Sequence, residues 1–269
     1  MKILKRITFG LGIASLMFFQ ACTDDVVDPN NNGNGGNNNG GTNKTCKITK
    51  AVADDGTEET YTWDGDQLVK LVEVDSAGTI EYNFNYTGGQ LTEIVEGTNT
   101  SYKMSYTGNK ITSVEYSEGG ALMTVSKINY NNEGKFNTIE DYEIDGGQEV
   151  LAQRYTYMYT DSKLKKINIL TDLDGNGDLN EDDDLLTTME VAALDSKKSP
   201  FYNLPTVWMD FADFRALFEN NVNAMIITIF GIPVPFSSTY EYNEHNYPTK
   251  ANFVANGETT VMDITYSCE

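Results

Sequence analysis

The stretch TDLDGNGDLNEDDD, residues 171–184, carries seven carboxylates. Like charges a few ångströms apart repel by roughly 1 kcal/mol per pair even in water, and a divalent cation relieves that cost. The spacing fits the twelve-residue calcium loop D-x-[DN]-x-[DN]-G-x5-E. Asp172 stands at its first position, Asp174 at the third, Asn176 at the fifth, Gly177 at the sixth, Asp178 at the seventh, Asn180 at the ninth and Asp183 at the twelfth. Calcium takes about six to eight oxygens around a tight bend. Asp172, Asp174, Asn176 and Asp183 offer side-chain oxygens, Asp178 its backbone carbonyl, and Asn180 a direct or water-mediated ligand. Gly177 permits the sharp reversal. Aspartate at the closing position is one methylene shorter than the usual glutamate, an arrangement similar to the loops of dockerin-like modules. Zinc would ask for Cys or His, which the loop lacks, and magnesium demands stricter geometry. Calcium is therefore the expected cofactor, with a dissociation constant on the order of 10⁻⁴ to 10⁻³ M, as in extracellular modules.

The loop must be held by its neighbours. Upstream, KLKKINIL reads as a strand, and downstream LLTTMEVAAL is compatible with strand or helix. An isolated calcium loop between β-elements stabilises; it lacks the helix pair of a sensor switch. The remainder of the chain repeats one unit: YTWDGDQLVKLVEV, YNFNYTGGQLTEIVEG, YKMSYTGNKITSVEYS, INYNNEGKFNTIEDYEI, YTYMYTDSKLKKINIL and YEYNEHNYPTKANFVA. Each runs from alternating aromatics through a Gly, Asn or Asp turn to an apolar residue repeated three positions on. Side chains two apart share a strand face, so Tyr82, Phe84 and Tyr86 point one way and Glu81, Asn83 and Asn85 the other. This pattern predicts an all-β, mainly antiparallel fold of about fourteen strands in an up-and-down meander. Such a sheet must close into a barrel or curve strongly to hide its edges.

One segment breaks the alternation. In LPTVWMDFADFRALFENN, Leu204 to Asn221, Val207, Phe211, Phe214 and Phe218 recur at helical spacing after Pro205, with Trp208 and Leu217 beside them. A short helix is expected there as a plug or cover of the sheet, with a lid over a ligand groove as the alternative. NAMIITIFGIPVPFSS fits an apolar strand leading into a turn. Charged residues on the polar face, among them Glu93, Lys103, Lys110 and Glu115, argue against a wall buried in lipid.

The N-terminus MKILKRITFGLGIASLMFFQAC places Lys2, Lys5 and Arg6 before an apolar run and ends on Ala21-Cys22. That layout is a secretory signal over residues 1–21. It resembles a bacterial lipoprotein signal, which implies Cys22 as the lipidated first residue of the mature chain. TDDVVDP follows, similar to the acidic export tags of Bacteroidetes surface lipoproteins, and implies an outer-membrane lipoprotein exposed at the cell surface, with a periplasm-facing one as the alternative. Residues 22–44, with the tract Asn30 to Asn43, read as a flexible Gly/Asn tether, and 45–269 as a single β domain. Cys46 and Cys268 remain at the two ends of that domain, either bridged across neighbouring first and last strands or left as free thiols.

A net charge of −21 is poorly suited to nucleic acid or anionic membranes. His245 is the sole histidine, in a turn, and no nucleophile elbow, phosphate loop or paired-cysteine metal motif occurs. No catalytic residue is assigned. The hairpins, then DSKKSPFYNLP (Asp195 to Pro205), the helical segment and YEYNEHNYPTKANF (Tyr240 to Phe253) together resemble a group of Bacteroidetes lipoproteins of unknown function described as having a porin-like fold. The resemblance implies a large antiparallel barrel-like sheet and brings no activity. The expected role is binding or structural, with a glycan or protein ligand. A carbohydrate-binding component of a polysaccharide-utilisation system is the alternative, and a glycan-active hydrolase the less favoured one. A surface binder predicts exposed aromatics near hairpin tips; an enzyme predicts a pocket of converging, perturbed acids.

Overall fold

The computed structural model describes residues 45–180, 184–211 and 213–268; the signal, Cys22 and the tether lie outside them. Among the described residues sixteen strands, against the roughly fourteen expected, follow one another in order. They are β1 (Cys46–Ala53), β2 (Glu58–Asp64), β3 (Gln67–Asp75), β4 (Gly78–Thr87), β5 (Gln90–Glu96) and β6 (Thr100–Thr107). Next come β7 (Lys110–Glu118), β8 (Ala121–Tyr130), β9 (Phe136–Asp145), β10 (Gln148–Thr160) and β11 (Lys163–Thr171). The last are β12 (Leu185–Lys198), β13 (Asn220–Ile229), β14 (Ile232–Tyr242), β15 (Pro248–Ala255) and β16 (Glu258–Cys268). Every strand pairs antiparallel with its chain neighbours, and β16 pairs with β1, so the sheet is a closed barrel.

The repeat unit has a mechanical meaning. In each of several hairpins an aromatic faces an apolar residue just before a bulge: Trp63 opposite Leu68, Tyr86 opposite Leu91, Tyr106 opposite Ile111, Tyr159 opposite Leu164 and Tyr242 opposite Pro248. A bulge interrupts the ladder and frees a carbonyl. The next repeat's aromatic satisfies it. Tyr86 Oη donates to Leu68 O (3.0 Å), Tyr106 to Leu91 O (2.7 Å), Tyr130 to Ile111 O (2.7 Å) and Tyr266 to Pro248 O (2.7 Å). Trp63 Nε1 does the same for Ile48 O at 2.7 Å. Each such bond contributes about 1 kcal/mol and locks one hairpin to the one before it.

Sixteen strands in a circular section would enclose an aqueous channel. Here the interior is a packed core instead: Ile94, Ile139 and Ala251 have no exposed surface, and Ile48, Leu68 and Ile167 retain 1 %. Part of the filling is the segment between β12 and β13. It forms not one helix over Leu204 to Asn221 but a 3-10 turn, Pro205–Trp208, and a single α-turn, α1 (Phe214–Leu217). The break falls at Asp213, which is extended and caps α1 by accepting from Arg215 N, so the helical spacing of the aromatics is met by two separate turns. Val207, Phe211 and Phe218 are buried, and Trp208 and Phe214 pack against the core. Trp208 meets Phe136 edge-on (5.6 Å), Phe211 meets Tyr155 (5.9 Å) and Phe214 meets Phe236 (5.4 Å). Tyr157 Oη donates to Phe211 O at 2.8 Å, tying the plug to the wall.

The outer face is polar. Glu93 stands opposite Lys103, and Lys103 opposite Glu115, a charge-alternating row across three strands. Lys70 pairs with Glu81 at 2.7 Å. Apolar inside and charged outside is the reverse of a lipid-embedded barrel, whose apolar band faces outward.

Candidate metal centre

Strand β11 delivers the acidic loop and β12 receives it, so the ambiguous LLTTMEVAAL is strand. Asp172 N donates to Ala152 O (2.8 Å), and a Cβ on Gly177 would lie 3.1 Å from Val150 Cγ1, so the loop folds back onto β10. Gly177 has φ +78°, a conformation that favours glycine. The Asp172 carboxylate is almost wholly buried and accepts from Gly175 N (2.7 Å) and Gly177 N (2.8 Å). Burial by itself pushes this carboxyl up, but the backbone donors of Gly177 and Gly175 outweigh it and hold the group below the ordinary range. Asp174 accepts from Asn176 N and Nδ2 at 3.0 and 2.9 Å, and Asn176 Oδ1 from Asp178 N at 2.6 Å.

Ligand oxygens of Asp172, Asp174 and Asp184 lie within 4.8 Å of one another. Asp172 and Asp174 are two of the ligands the spacing predicts; Asp183 falls outside the described residues. Asp184, one residue later, was not singled out by the loop pattern. Its oxygens accept from Leu173 N (3.0 Å) and Asn180 N (2.9 Å), closing the loop's two ends together. The only signal for it was the run EDDD, in which the register of the closing residue is open. Asp178 sits in the loop outside the three-carboxylate group, and Asn180 is tied to that group through its backbone N–H to Asp184. A tight cluster of hard oxygens without nitrogen or sulfur suits a hard divalent cation.

At the opposite end of the barrel Cys46 and Cys268 are joined by a disulfide, S–S 2.05 Å, across the β1–β16 seam. His245 is in the β14–β15 turn beside exposed Glu244.

Sequence reading missed a charged network inside the barrel. Glu59 on β2 faces Glu73 on β3, and Arg215 of the plug donates to Glu59 at 3.0 and 3.3 Å and to Asp213 at 3.3 Å. Tyr61 Oη donates to Glu59, Tyr82 to Glu73 (3.2 Å) and Tyr102 to Glu96 (3.1 Å). Burial together with the Glu59 carboxylate pushes Glu73 up to about 7, against the opposing pull of Arg215. Burial alone would lower Arg215, but Glu59 and Asp213 hold it charged and raise it further. The network anchors the plug across the lumen. Beside the plug a cavity of about 20 Å³, lined by Ser199, Arg215, Asn221 and Tyr240 among others, has room for one water molecule.

A porin-like protein from Bacteroides uniformis superposes with a TM-score of 0.53 at 14 % identity, over 82 % of this chain and 96 % of that one. The fold is porin-like. A second porin-like protein, from Bacteroides vulgatus, aligns over 83 % of this chain and 99 % of its own at 9 % identity, with a TM-score of 0.46. No family model and no curated protein matches the chain. The large antiparallel barrel-like sheet that the resemblance implied is thus the architecture of the described residues, and of the two forms the hairpin pattern allowed it takes the closed one.

Proposed function

We propose that this chain is a lipid-anchored outer-membrane protein whose barrel stands in water, is stabilised by calcium, and works by binding. The observation that carries this reading is the orientation of the wall: side chains such as Ile94 and Ile139 fill the lumen, while Glu93, Lys103 and Glu115 line the outside. A wall of that kind gains nothing from lipid, and a filled lumen passes no solute. Membrane attachment then falls to Cys22. The three-carboxylate cluster supports calcium in the loop. An aromatic exposed at a hairpin tip, Phe230, supports a binding role, whereas the 20 Å³ cavity is too small for a sugar.

The test is fractionation of cells producing the full chain or its Cys22→Ala variant. The native chain is expected with the outer membrane and accessible to added protease on intact cells. The variant is expected to be released in soluble, folded form. Retention of the variant in the membrane would overturn the reading.

A further inference from the structure

The β13–β14 hairpin breaks the rules its neighbours keep. Its two turn residues, Phe230 and Gly231, have φ of +52° and +73°, the type I′ arrangement that suits Asn-Gly or Gly-Gly. Elsewhere in the barrel such turns are Gly88–Gly89, Gly119–Gly120, Gly146–Gly147, Asp161–Ser162 and Asn256–Gly257, each built from glycine or small polar residues. A phenylalanine held left-handed costs about 1 kcal/mol or more. The residue is 70 % exposed, so little packing offsets that cost, and Ile232 across the turn is 66 % exposed. Ile226 on the same hairpin and Leu173 of the acidic loop are exposed as well. Strain and apolar exposure kept together, with no return to stability, point to use by something outside the fold.

The hairpin also stands above the rim. Strand β14 pairs with β13 from Ile232 onward, but with β15 only from Phe236. Pro233 and Pro235 lie in this overhang, and proline has no N–H to offer an incoming strand. The edge is closed to strand addition while the tip stays apolar, so contact must come through side chains. Charge narrows the partner. The connections at this end of the barrel contain Asp54, Asp55 and the acidic loop and no Lys or Arg, whereas those at the other end mix carboxylates such as Asp66, Glu133 and Asp161 with Lys135 and Arg215.

We infer that the Phe230–Ile232 tip is a docking site for a protein segment presenting apolar side chains flanked by Lys or Arg. The site deepens the binding role proposed above and depends on it. A second copy would bring the same acidic rim and be repelled, as would an anionic membrane.

The probe is a labelled amphipathic Leu/Lys peptide, titrated against the full chain by fluorescence anisotropy. A Leu/Glu peptide of equal length, phosphatidylcholine vesicles and self-association are followed in parallel. Phe230→Asn/Ile232→Thr keeps the turn, since Asn accepts positive φ, and is expected to melt at or above the native temperature. The inference predicts that the Leu/Lys peptide binds and that the double variant weakens it at least tenfold, with the Leu/Glu peptide not bound. Equal capture by native and variant chains would show bulk charge attraction and overturn it. So would absence of peptide binding, or tip-dependent binding of vesicles or of a second copy instead. Each of these leaves the anchoring experiment on Cys22 to stand or fall by itself.

Discussion

Adding and withdrawing calcium is the perturbation that speaks most clearly to the acidic loop. An ion that binds only the folded chain stabilises it by RT ln(1 + [L]/Kd); at 10 mM calcium and a Kd of about 10⁻⁴ to 10⁻³ M that is roughly 1.4 to 2.7 kcal/mol. A domain of this size shifts its melting temperature by about 2 to 4 °C per kcal/mol, so a rise of roughly 3 to 11 °C is expected. The assay is a calorimetric or circular-dichroism melt in 10 mM calcium chloride, in magnesium chloride and in EGTA. Asp174→Asn sharpens it, because Asp174 is exposed and its carboxylate faces those of Asp172 and Asp184. Removing that charge relieves repulsion by up to about 1 kcal/mol in EGTA, yet weakens the site in calcium, because the neutral amide oxygen that replaces the carboxylate attracts the ion less. The two melting curves should therefore cross over: the variant above the native chain without the ion, and below it with the ion. Coincident native melts in calcium and EGTA would refute the metal assignment, as would a variant that kept the full calcium increment.

Three further outcomes follow from the interior and the seam. Arg215→Met strands Glu59, whose side chain is 10 % exposed; because Arg215 is itself 26 % exposed, a loss of about 2 to 3 kcal/mol is expected, at the low end for buried pairs. Urea titration of Arg215→Met/Glu59→Gln should recover more than half of that loss, and additive losses would contradict the pairing. Glu73 is held near 7 in the folded chain, above its ordinary 4.5, so its contribution is complete below about pH 4.5 and is lost as pH rises through 7. Glu73→Gln should then be more stable than the native chain at pH 8 by about 1 to 3 kcal/mol and equal to it at pH 4, read from paired melts. Reducing Cys46–Cys268, which spans 222 residues, should cost up to about 5 kcal/mol in chain entropy, measured by melts with and without reductant.

The repeat was legible because its cause is local. Period-two alternation puts Tyr82, Phe84 and Tyr86 on one face, and a Gly-rich turn follows; both can be read within one hairpin. The loop ligands Asp172 and Asp174 were legible for the same reason, since a metal loop is built from consecutive residues. What escaped depends on the third dimension. Glu59 and Arg215 are 156 residues apart, and Arg215 reads as the lone cation of an apolar segment until the plug enters the lumen. The bulges that call for the aromatic hydroxyls arise from register between strands, which alternation alone does not give. Helical spacing over Leu204 to Asn221 pointed to the short helical plug but not to its division into two turns around Asp213, which bury the same aromatics that one helix would. Asp184 was passed over because a run of like carboxylates leaves the closing position undetermined.

The central claim, a filled barrel with its polar face to water, is tested most directly by sedimentation of residues 45–269 in detergent-free buffer, read together with a cooperative thermal melt. A single soluble, folded species is predicted, and it should leave planar bilayers silent. A chain that sediments as aggregate unless detergent is supplied, and then conducts ions, would contradict the account.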